Sequence, residues 1–439
     1  MLQPAGEIRL PELADAWWLL DQPDRIAGFR LLEPGDAEEF FFDLTSSDQA
    51  DLLLALTPAE RRLWLRLLPP DDAADLIQEA AEEDRPGLLG LLDDATRREV
   101  TALLAYEEDE AGGLMSSRFA RVRPDMTADE AISYLRKQAQ GRTNAETLYY
   151  IYVLDSAQRL LGVVSFRELF AAPGNRTVRE IMRVEDMVAV PEEMDQEAVA
   201  RLFAEYDVVA LPVVDAEGRM KGIVTVDDIV DVVEEEATED IHKYGGLEAL
   251  DEPYLRIGFF DLVRKRAPWL VILFFGGMLT ATAVGRFENF VTTIKGLAVF
   301  MPLVIASGGN SGSQASTLVI RAMTVGEVRL RDWWRVVRRE LAVGLVLGIM
   351  LALLGIGRVW IATLIGQPDN AEMILFAVTI AASLIGVVIF GTLAGSMLPF
   401  ILQRLGFDPA SASAPLVATL VDVSGLLIYF SVASWLLSS

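Results

Sequence analysis

Three short stretches of this chain combine residue types and spacing that could do chemistry, and carboxylates carry all three. The first is Pro415-Leu-Val-Ala-Thr-Leu-Val-Asp-Val-Ser-Gly-Leu-Leu-Ile-Tyr-Phe430, an apolar run whose one charge is Asp422. An aspartate at the centre of a membrane-spanning helix costs roughly 2.5–3.5 kcal/mol, so it is tolerated where it faces a bundle interior or a water-filled path. The nearest arginines in sequence, Arg404 and Arg358, fall at predicted helix ends, which favours an ion or proton path over a buried ion pair. The second stretch is Val232 to Gly246, where Glu234, Glu235, Glu236, Glu239 and Asp240 place five carboxylates within seven residues. Like charges on adjacent helical turns repel, so a helix here needs divalent cations or a basic surface, or else is a solvated connector. The third is Thr225-Val-Asp-Asp228, where Asp228 stands at a predicted helix start. Its carboxylate could accept from ribose hydroxyls of a nucleotide, with a plain helix cap as the alternative.

Composition narrows the chemistry. Residues 1–261 carry 56 acidic and 25 basic side chains, a formal charge of −31, whereas residues 262–439 carry 8 and 13, a formal +5. An acidic soluble half thus precedes a hydrophobic one. So negative a surface argues against nucleic acid, whose phosphates need Lys and Arg, and favours hard cations or a merely solvated exterior. With no cysteine and the single histidine His242, disulfides, thiolate metal sites and conventional zinc chemistry drop out, and any metal must be held by oxygen. The start, Met1-Leu-Gln-Pro-Ala-Gly-Glu, lacks the basic and apolar regions of a signal peptide, so the acidic half is expected in the cytoplasm. No phosphate-cradling glycine loop with lysine and no nucleophile elbow occurs, so no enzymatic activity is expected.

The elements that must position these groups read as follows. From about Pro11 to Glu110 short helices alternate with Pro or acidic punctuation. Thr57-Pro-Ala-Glu60 has the makings of a capping box, followed by an apolar stripe of Leu63, Trp64, Leu67 and Leu68; Leu-Pro-Pro-Asp-Asp-Ala-Ala-Asp75 opens the next helix similarly. Helices this short must stack on one another, as in a small superhelix. From Met115 to Glu236 the sequence repeats: Tyr152 to Ser165 aligns with Pro212 to Thr225, and each copy predicts a helix (127–138 and 195–205), a strand, a turn at Asp155 or Asp215, a second strand and a closing helix. Uncharged runs at Ala267–Gly285, Gly296–Ile320, Leu341–Gly357, Met373–Gln403 and Pro409–Ser439, the last broken only by Asp422, predict five membrane spans. Arg264-Lys-Arg266 before the first span, and six arginines from Arg321 to Arg339 between the second and third, predict those loops on the cytoplasmic side. The loops Arg286 to Lys295 and Arg358 to Glu372 are then outward, with the N-terminus inside and the C-terminus outside. Within the second span, Ala306-Ser-Gly-Gly-Asn-Ser-Gly-Ser-Gln-Ala-Ser316 is poor in helix formers, so an unwound backbone lining a wet cavity is expected. Close helix packing would account for its glycines but not for Asn310 and Gln314.

The repeat resembles a tandem pair of CBS domains, a family in which a Thr/Ser-x-x-Asp element holds the ribose of an adenosine nucleotide. The second copy has it, as Thr225, Asp227 and Asp228, while the first reads Ser165-Phe-Arg-Glu168. Together with Ala-Thr-Glu-Asp-Ile-His-Lys243, the Ser-Gly-Gly-Asn-Ser-Gly run and Pro-Leu-Val-Ala-Thr-Leu-Val-Asp422-Val-Ser-Gly, nearly the whole chain resembles the MgtE family of bacterial magnesium channels. The resemblance implies a multidomain fold: an acidic α-helical superhelical N-domain (1–112), two α/β CBS domains (113–175 and 176–236), a connecting plug helix (237–264) and a five-helix transmembrane domain (265–439). It implies a homodimer in the bacterial cytoplasmic membrane with a pore on the dimer axis, closed by the plug when Mg²⁺ is plentiful and modulated by ATP at the CBS domains. By position, Asp422 matches the pore aspartate, Gly308, Gly309 and Asn310 the motif beside it, and Asp408 an acidic position near the cytoplasmic mouth. Asp207, Asp228, Asp231, Glu236, Glu239 and Asp240 match sensor carboxylates, with Asp72 and Asp75 as N-domain partners. The chain departs from the pattern at Ala414, where a polar residue is expected two turns before the pore aspartate.

The chemistry runs parallel. Mg²⁺ prefers octahedral oxygen coordination and sheds water reluctantly, so a symmetric pair of Asp422 carboxylates suits a largely hydrated ion. A CBS-linked exporter, a chloride pathway and a membrane nucleotide sensor that transports nothing are the rival readings. An anion pore would want Arg, Lys or helix N-termini rather than Asp422.

Overall fold

The computed structural model describes residues 9–139, 147–185, 187–250, 254–287, 294, 296–365 and 370–437. The chain's first eight residues and much of the two outward loops expected after Arg286 and Arg358 lie outside the described residues. Two compact units are present, Met1–Val233 and Glu234–Ser439.

The first unit opens with eight short helices: α1 (Leu10–Ala16), α2 (Gln22–Phe29), α3 (Pro34–Phe42), α4 (Ser46–Ala55), α5 (Pro58–Leu65), α6 (Pro70–Glu79), α7 (Arg85–Leu89) and α8 (Asp94–Leu103). Their starts are chemically marked. Asp21, Thr45, Thr57 and Asp93 each accept a backbone N–H of the first turn, and Glu60 closes the expected box by accepting from the Thr57 N–H at 2.9 Å. Trp17, Phe29, Phe40, Phe41, Leu53 and Leu76 are buried in the common core. The stripe expected on α5 is only partly inward. Trp64 wedges against Phe29 and Phe41 at 5.1 Å between ring centroids and Leu68 is buried, but Leu63 and Leu67 are exposed. The helix ends at Leu65, and the turn that follows breaks the 3.6-residue phase.

A four-residue helix α9 (Ala111–Leu114) leads into the repeats. The first contains β1 (Arg121–Val122), α10 (Ala128–Ala139), β2 (Tyr150–Leu154), β3 (Leu160–Ser165) and α11 (Phe166–Ala171). The second contains α12 (Val178–Ile181), β4 (Val190–Pro191), α13 (Gln196–Tyr206), β5 (Ala210–Val214) and β6 (Met220–Thr225). The sheets match in detail: β1 is parallel and β3 antiparallel to β2, with the same relation of β4 and β6 to β5, and the register shifts at Val153/Leu154 and at Val213/Val214. The copies exchange edges, since Ser116 bridges Ile223 while Arg183 bridges Val163. Gly222 and Gly162 permit this, because a Cβ would stand 2.6 Å from the Ser116 carbonyl or 2.8 Å from the Arg183 carbonyl.

Helix α14 (Val226–Tyr244) follows β6 and crosses the boundary between the units. The connecting helix expected over 237–264 is therefore the far half of the helix that closes the second repeat. Nothing in Val226–Tyr244 is a Gly or Pro that would stop it, and Gly245 and Gly246 end it, Gly246 at φ +73°.

The second unit contains α15 (Phe259–Arg286), α16 (Leu297–Thr324), α17 (Trp333–Ile365), α18 (Asn370–Arg404) and α19 (Ala414–Leu437). Among the described residues, α15, α17, α18 and α19 are long and apolar enough to cross a membrane. α16 is 28 residues long but holds the Gly/Ser/Asn run, and it is not one of the four. The third expected span, short in sequence, belongs to a helix of 33 residues because Trp333 to Glu340 continue it on one side and Arg358 lies within it on the other. Tyr429, Phe430, Val421 and Val417 of α19 pack with Val387 and Ile380 of α18 and Val304 of α16 in the core.

Candidate functional site

Asp422 lies near the middle of α19, half-buried. A Cβ on Gly308 would stand 2.9 Å from Val421, and one on Gly309 would stand 3.9 Å from Ala418. Asp422 follows Val421 directly and Ala418 by one turn, so it is level with Gly308, Gly309 and Asn310. Asn310, Gln314 and Thr317 of α16 are exposed in the single chain. Among the described residues no cation is paired with Asp422. Further along the same two helices, the Ser316 hydroxyl donates to the Ala412 carbonyl at 2.9 Å and Ser313 to the Ala414 carbonyl at 3.5 Å. These bonds fix the register of α16 against the start of α19.

The Gly/Ser/Asn run is not unwound. It is helical throughout α16, because its glycines serve packing. Gly308 and Gly312 meet Gly391 and Gly395 of α18 backbone to backbone: a Cβ on Gly312 would stand 2.8 Å from the Gly391 carbonyl, and one on Gly391 or Gly395 would collide with the carbonyl of Gly308 or Gly312. Small residues at four-residue spacing allow such approach, and the contact overrides low helix propensity. Gly308 is buried in it and Gly309 against Ala418 of α19, whereas Asn310 and Gln314, which packing does not explain, are exposed on the opposite face.

The end of α14 approaches the other end of α16. Lys243 Nζ donates to Asp408 Oδ2 at 2.6 Å and lies 2.5 Å from Glu239 Oε1. Burial opposes the ammonium charge, but the hydrogen bonds to Asp408 and Glu239 outweigh it and hold the Lys243 pKa above the ordinary lysine value. Asp408 in turn caps a short 3₁₀ turn, accepting from Ala410 N–H at 2.8 Å. The Tyr244 hydroxyl donates to the Ser313 carbonyl at 3.1 Å and bonds the Thr317 hydroxyl, while its ring packs on Ile320, Ala410 and Ala412. Asp240 accepts from Thr324 at 3.4 Å, and burial, aided by Asp408, pushes its pKa up. Glu236 is near enough to Asp240 to add to that shift.

In the first unit, the start of α6 and the start of α14 bring carboxylates together. Asp72 is pushed up to about 7, first by burial and then by Asp71, Asp228, Asp227 and Asp231. Asp75 is pushed up to about 8 by burial and then by Asp72, Asp71, Asp228 and Glu108. Burial raises Asp71 also, and raises Asp228 to about 7 against the hydrogen bonds it accepts from Thr225. Asp72, Asp75, Asp228 and Asp231 are thus one electrostatic neighbourhood. Asp207 stands apart as an exposed residue ending α13 in the left-handed region, φ 51°. Among the described residues no three His, Asp or Glu side chains are arranged to hold one metal ion; the neighbourhood is crowded charge rather than a finished cage.

Thr225 donates its hydroxyl to Asp228 Oδ2 at 2.8 Å and its N–H to the same oxygen at 3.1 Å, so the motif acts as a cap. Its counterpart in the first repeat is closed off. Ser165 bonds Glu168 at 2.6 Å, Arg183 Nε donates to the other Glu168 oxygen at 2.8 Å, and these bonds outweigh burial to hold the Glu168 pKa low. Sequence reasoning included Asp71 only as part of Asp-Asp-Ala-Ala-Asp75 and missed Glu108, Lys243 and Tyr244. Lys243 was visible as the first lysine after the acidic run, four residues from Glu239; Tyr244 left no signal.

Family models place the chain among known proteins. A model described as a divalent cation transporter, MgtE, matches residues 301–432; one for the MgtE intracellular N domain matches residues 8–109; and the CBS domain model matches residues 111–175 and 178–235. The chain is 48% identical over 341 residues to the magnesium transporter MgtE of Thermus thermophilus, an alignment covering 78% of this chain and 73% of that protein. It is 36% identical over 339 residues to the magnesium transporter MgtE of Enterococcus faecalis, covering 76% and 71%. A crystal structure of the cytosolic domain of the Mg²⁺ channel MgtE in complex with ATP aligns over 52% of this chain and 91% of that one, at 45% identity and a TM-score of 0.47. With an N domain, paired CBS domains and a transporter region in one chain, and a relative nearly half identical over most of both lengths, the chain belongs to the MgtE family of divalent cation transporters.

Proposed function

We propose that the chain carries Mg²⁺ across the bacterial cytoplasmic membrane through a path lined by Asp422. The observation that carries this reading is a half-buried carboxylate that pairs with no cation among the described residues, level with the exposed Asn310, in an otherwise uncharged apolar helix. A face holding Asp422, Asn310, Gln314 and Thr317 is too polar to meet lipid. A second copy covers it, so that two Asp422 side chains face one water-filled axis. Mg²⁺ keeps several waters and is bound through one or two carboxylates, and the ion offsets the repulsion of the pair. α16 is the fifth span, its polar face satisfied by that path. The basic clusters Arg264, Lys265, Arg266 and the arginines between α16 and α17 support cytoplasmic ends for those helices, an N-terminus inside and a C-terminus outside.

Cytoplasmic Mg²⁺ closes the path. It binds by water-mediated contact at Asp72, Asp75, Asp228 and Asp231, and at Glu236, Glu239, Asp240 and Asp408, with Asp207 as an outlying carboxylate. Without it those carboxylates repel, except where Lys243 stands between Glu239 and Asp408; with it they are drawn together, a two-state element biased by a ligand with differential affinity. α14 carries members of both groups, which gives a covalent route from one to the other. ATP binds the second repeat, its ribose hydroxyls donating to Asp228 beside Thr225 and Asp227.

Mg²⁺ influx into proteoliposomes tests the path. Wild type is expected to admit Mg²⁺ and Asp422→Ala to lose at least about tenfold, the scale of removing one charge-stabilising contact; equal influx in the two would remove Asp422 from the path.

A further inference from the structure

The acidic run on α14 ends in a lysine that the transport reading leaves without a task. Lys243 Nζ lies 2.5 Å from Glu239 Oε1 on its own helix and 2.6 Å from Asp408 Oδ2, in the segment between α18 and α19. The three groups are about one-third exposed or less, so the pair is poorly screened. Either side of it, Tyr244 bonds the Ser313 carbonyl and Asp240 accepts from Thr324, so contacts within the five residues Asp240 to Tyr244 tie the end of α14 to α16 and to the segment before α19. An ammonium held between two carboxylates occupies the place that a mobile cation would otherwise take to bring those carboxylates together.

We propose that Lys243 is a positioning residue for gating, a tethered counter-ion that bridges Glu239 and Asp408 and holds the end of α14 docked before any divalent cation binds there. The inference rests on the gated-transporter reading and deepens it. Mg²⁺ then acts on a helix already held in place, and the concentration that closes the path is set lower than the carboxylates alone would require. Without the ammonium, Glu239 and Asp408 repel in the docked state, and docking must wait for Mg²⁺ to replace it.

Two readouts on the full chain test this. The native sequence has no cysteine, so a disulfide between Asp240→Cys and Thr324→Cys reports docking in Mg²⁺-free buffer. With Lys243 present the cross-link is expected to form; with Lys243→Gln its yield at fixed time falls about tenfold, the effect of losing one hydrogen bond to a charged group. Lys243→Arg keeps the charge and most of the yield. In proteoliposomes with native Asp240 and Thr324, Lys243→Gln raises the internal Mg²⁺ concentration for half-closure by a similar factor, while influx at zero internal Mg²⁺ shows the variant is folded. Asp408→Asn removes a Mg²⁺ ligand along with the latch and raises the midpoint at least as far, and adding Lys243→Gln to it shifts the midpoint little further, as expected for one shared contact. Unchanged cross-linking and an unchanged midpoint in Lys243→Gln would overturn the latch and leave Mg²⁺ gating standing. A wild type that Mg²⁺ does not close would sink the gating reading, while the cross-link would still decide whether Lys243 docks the helix.

Discussion

Gly391 of α18 lies against the Gly308 carbonyl of α16 so closely that no Cβ fits between them, and Gly395 repeats the contact one turn on with Gly312. This backbone-to-backbone seam keeps a run of poor helix formers helical and presents Asn310 and Gln314 on the opposite face. Gly391→Val must push the helices apart, at about 1–3 kcal/mol for overpacking. Gly357→Ala on α17, where a Cβ would meet nothing within 4 Å, serves as control. Thermal melts of the detergent-solubilised protein are expected to show a clear loss for the first and little change for the second.

That seam marks where the sequence stopped being legible. Capping at Thr57 and Glu60 could be read because it is local and chemically specific, and the doubled CBS fold because its copies align residue for residue. Four of the five expected spans followed from length and composition. The state of Ser307 to Ser316 depended on glycines more than seventy residues away, Gly391 and Gly395, which no local propensity contains. The same holds for Lys243. Glu239 is visible as its i,i+4 neighbour, but Asp408 is 165 residues distant, and only the fold brings the second carboxylate to it. Asp422 stands out in the sequence for the opposite reason, since its cost in an apolar helix is a property of the helix itself.

The acidic neighbourhood of the first unit predicts a pH dependence. Asp72, Asp75 and Asp228 have folded values of about 7, 8 and 7, far above the roughly 3.9 of an unfolded aspartate. Between those limits the folded state holds more protons than the unfolded one, so stability is full below the unfolded value and is lost as pH rises through the folded values. Without Mg²⁺, protease cleavage of the first unit in the full chain is expected to be faster at about pH 8 than at about pH 5.5. Added Mg²⁺ should slow cleavage more at the higher pH, where the carboxylates are ionised. Rates that ignore both pH and Mg²⁺ would detach these residues from sensing.

The two repeats should differ in nucleotide binding. Among the described residues Asp228 accepts from Thr225 alone, whereas Glu168 is already committed to Ser165 and to Arg183. Calorimetric titration of ATP into the full chain is expected to weaken about tenfold with Asp228→Ala, the scale of a lost charged hydrogen bond, and to change little with Glu168→Ala. Equal weakening by both would place the nucleotide elsewhere in the cleft.

Tyr244 offers the gentlest test of docking. Its hydroxyl donates to the Ser313 carbonyl at 3.1 Å, a carbonyl that also accepts from Thr317 at 2.8 Å. Tyr244→Phe therefore removes the hydroxyl's bonds to the Ser313 carbonyl and the Thr317 hydroxyl without stranding a buried acceptor, and the ring still packs on Ile320, Ala410 and Ala412. Such a bond contributes about 0.5–1.5 kcal/mol net. If it exists only when α14 is docked, the Mg²⁺ concentration for half-closure should rise about two- to tenfold, while influx at zero internal Mg²⁺ stays at the wild-type level. Tyr244→Ala also gives up the ring contacts and should shift the midpoint further. A Tyr244→Phe midpoint equal to wild type would mean that the bond persists in the open path, and that α14 reports on closure without holding it.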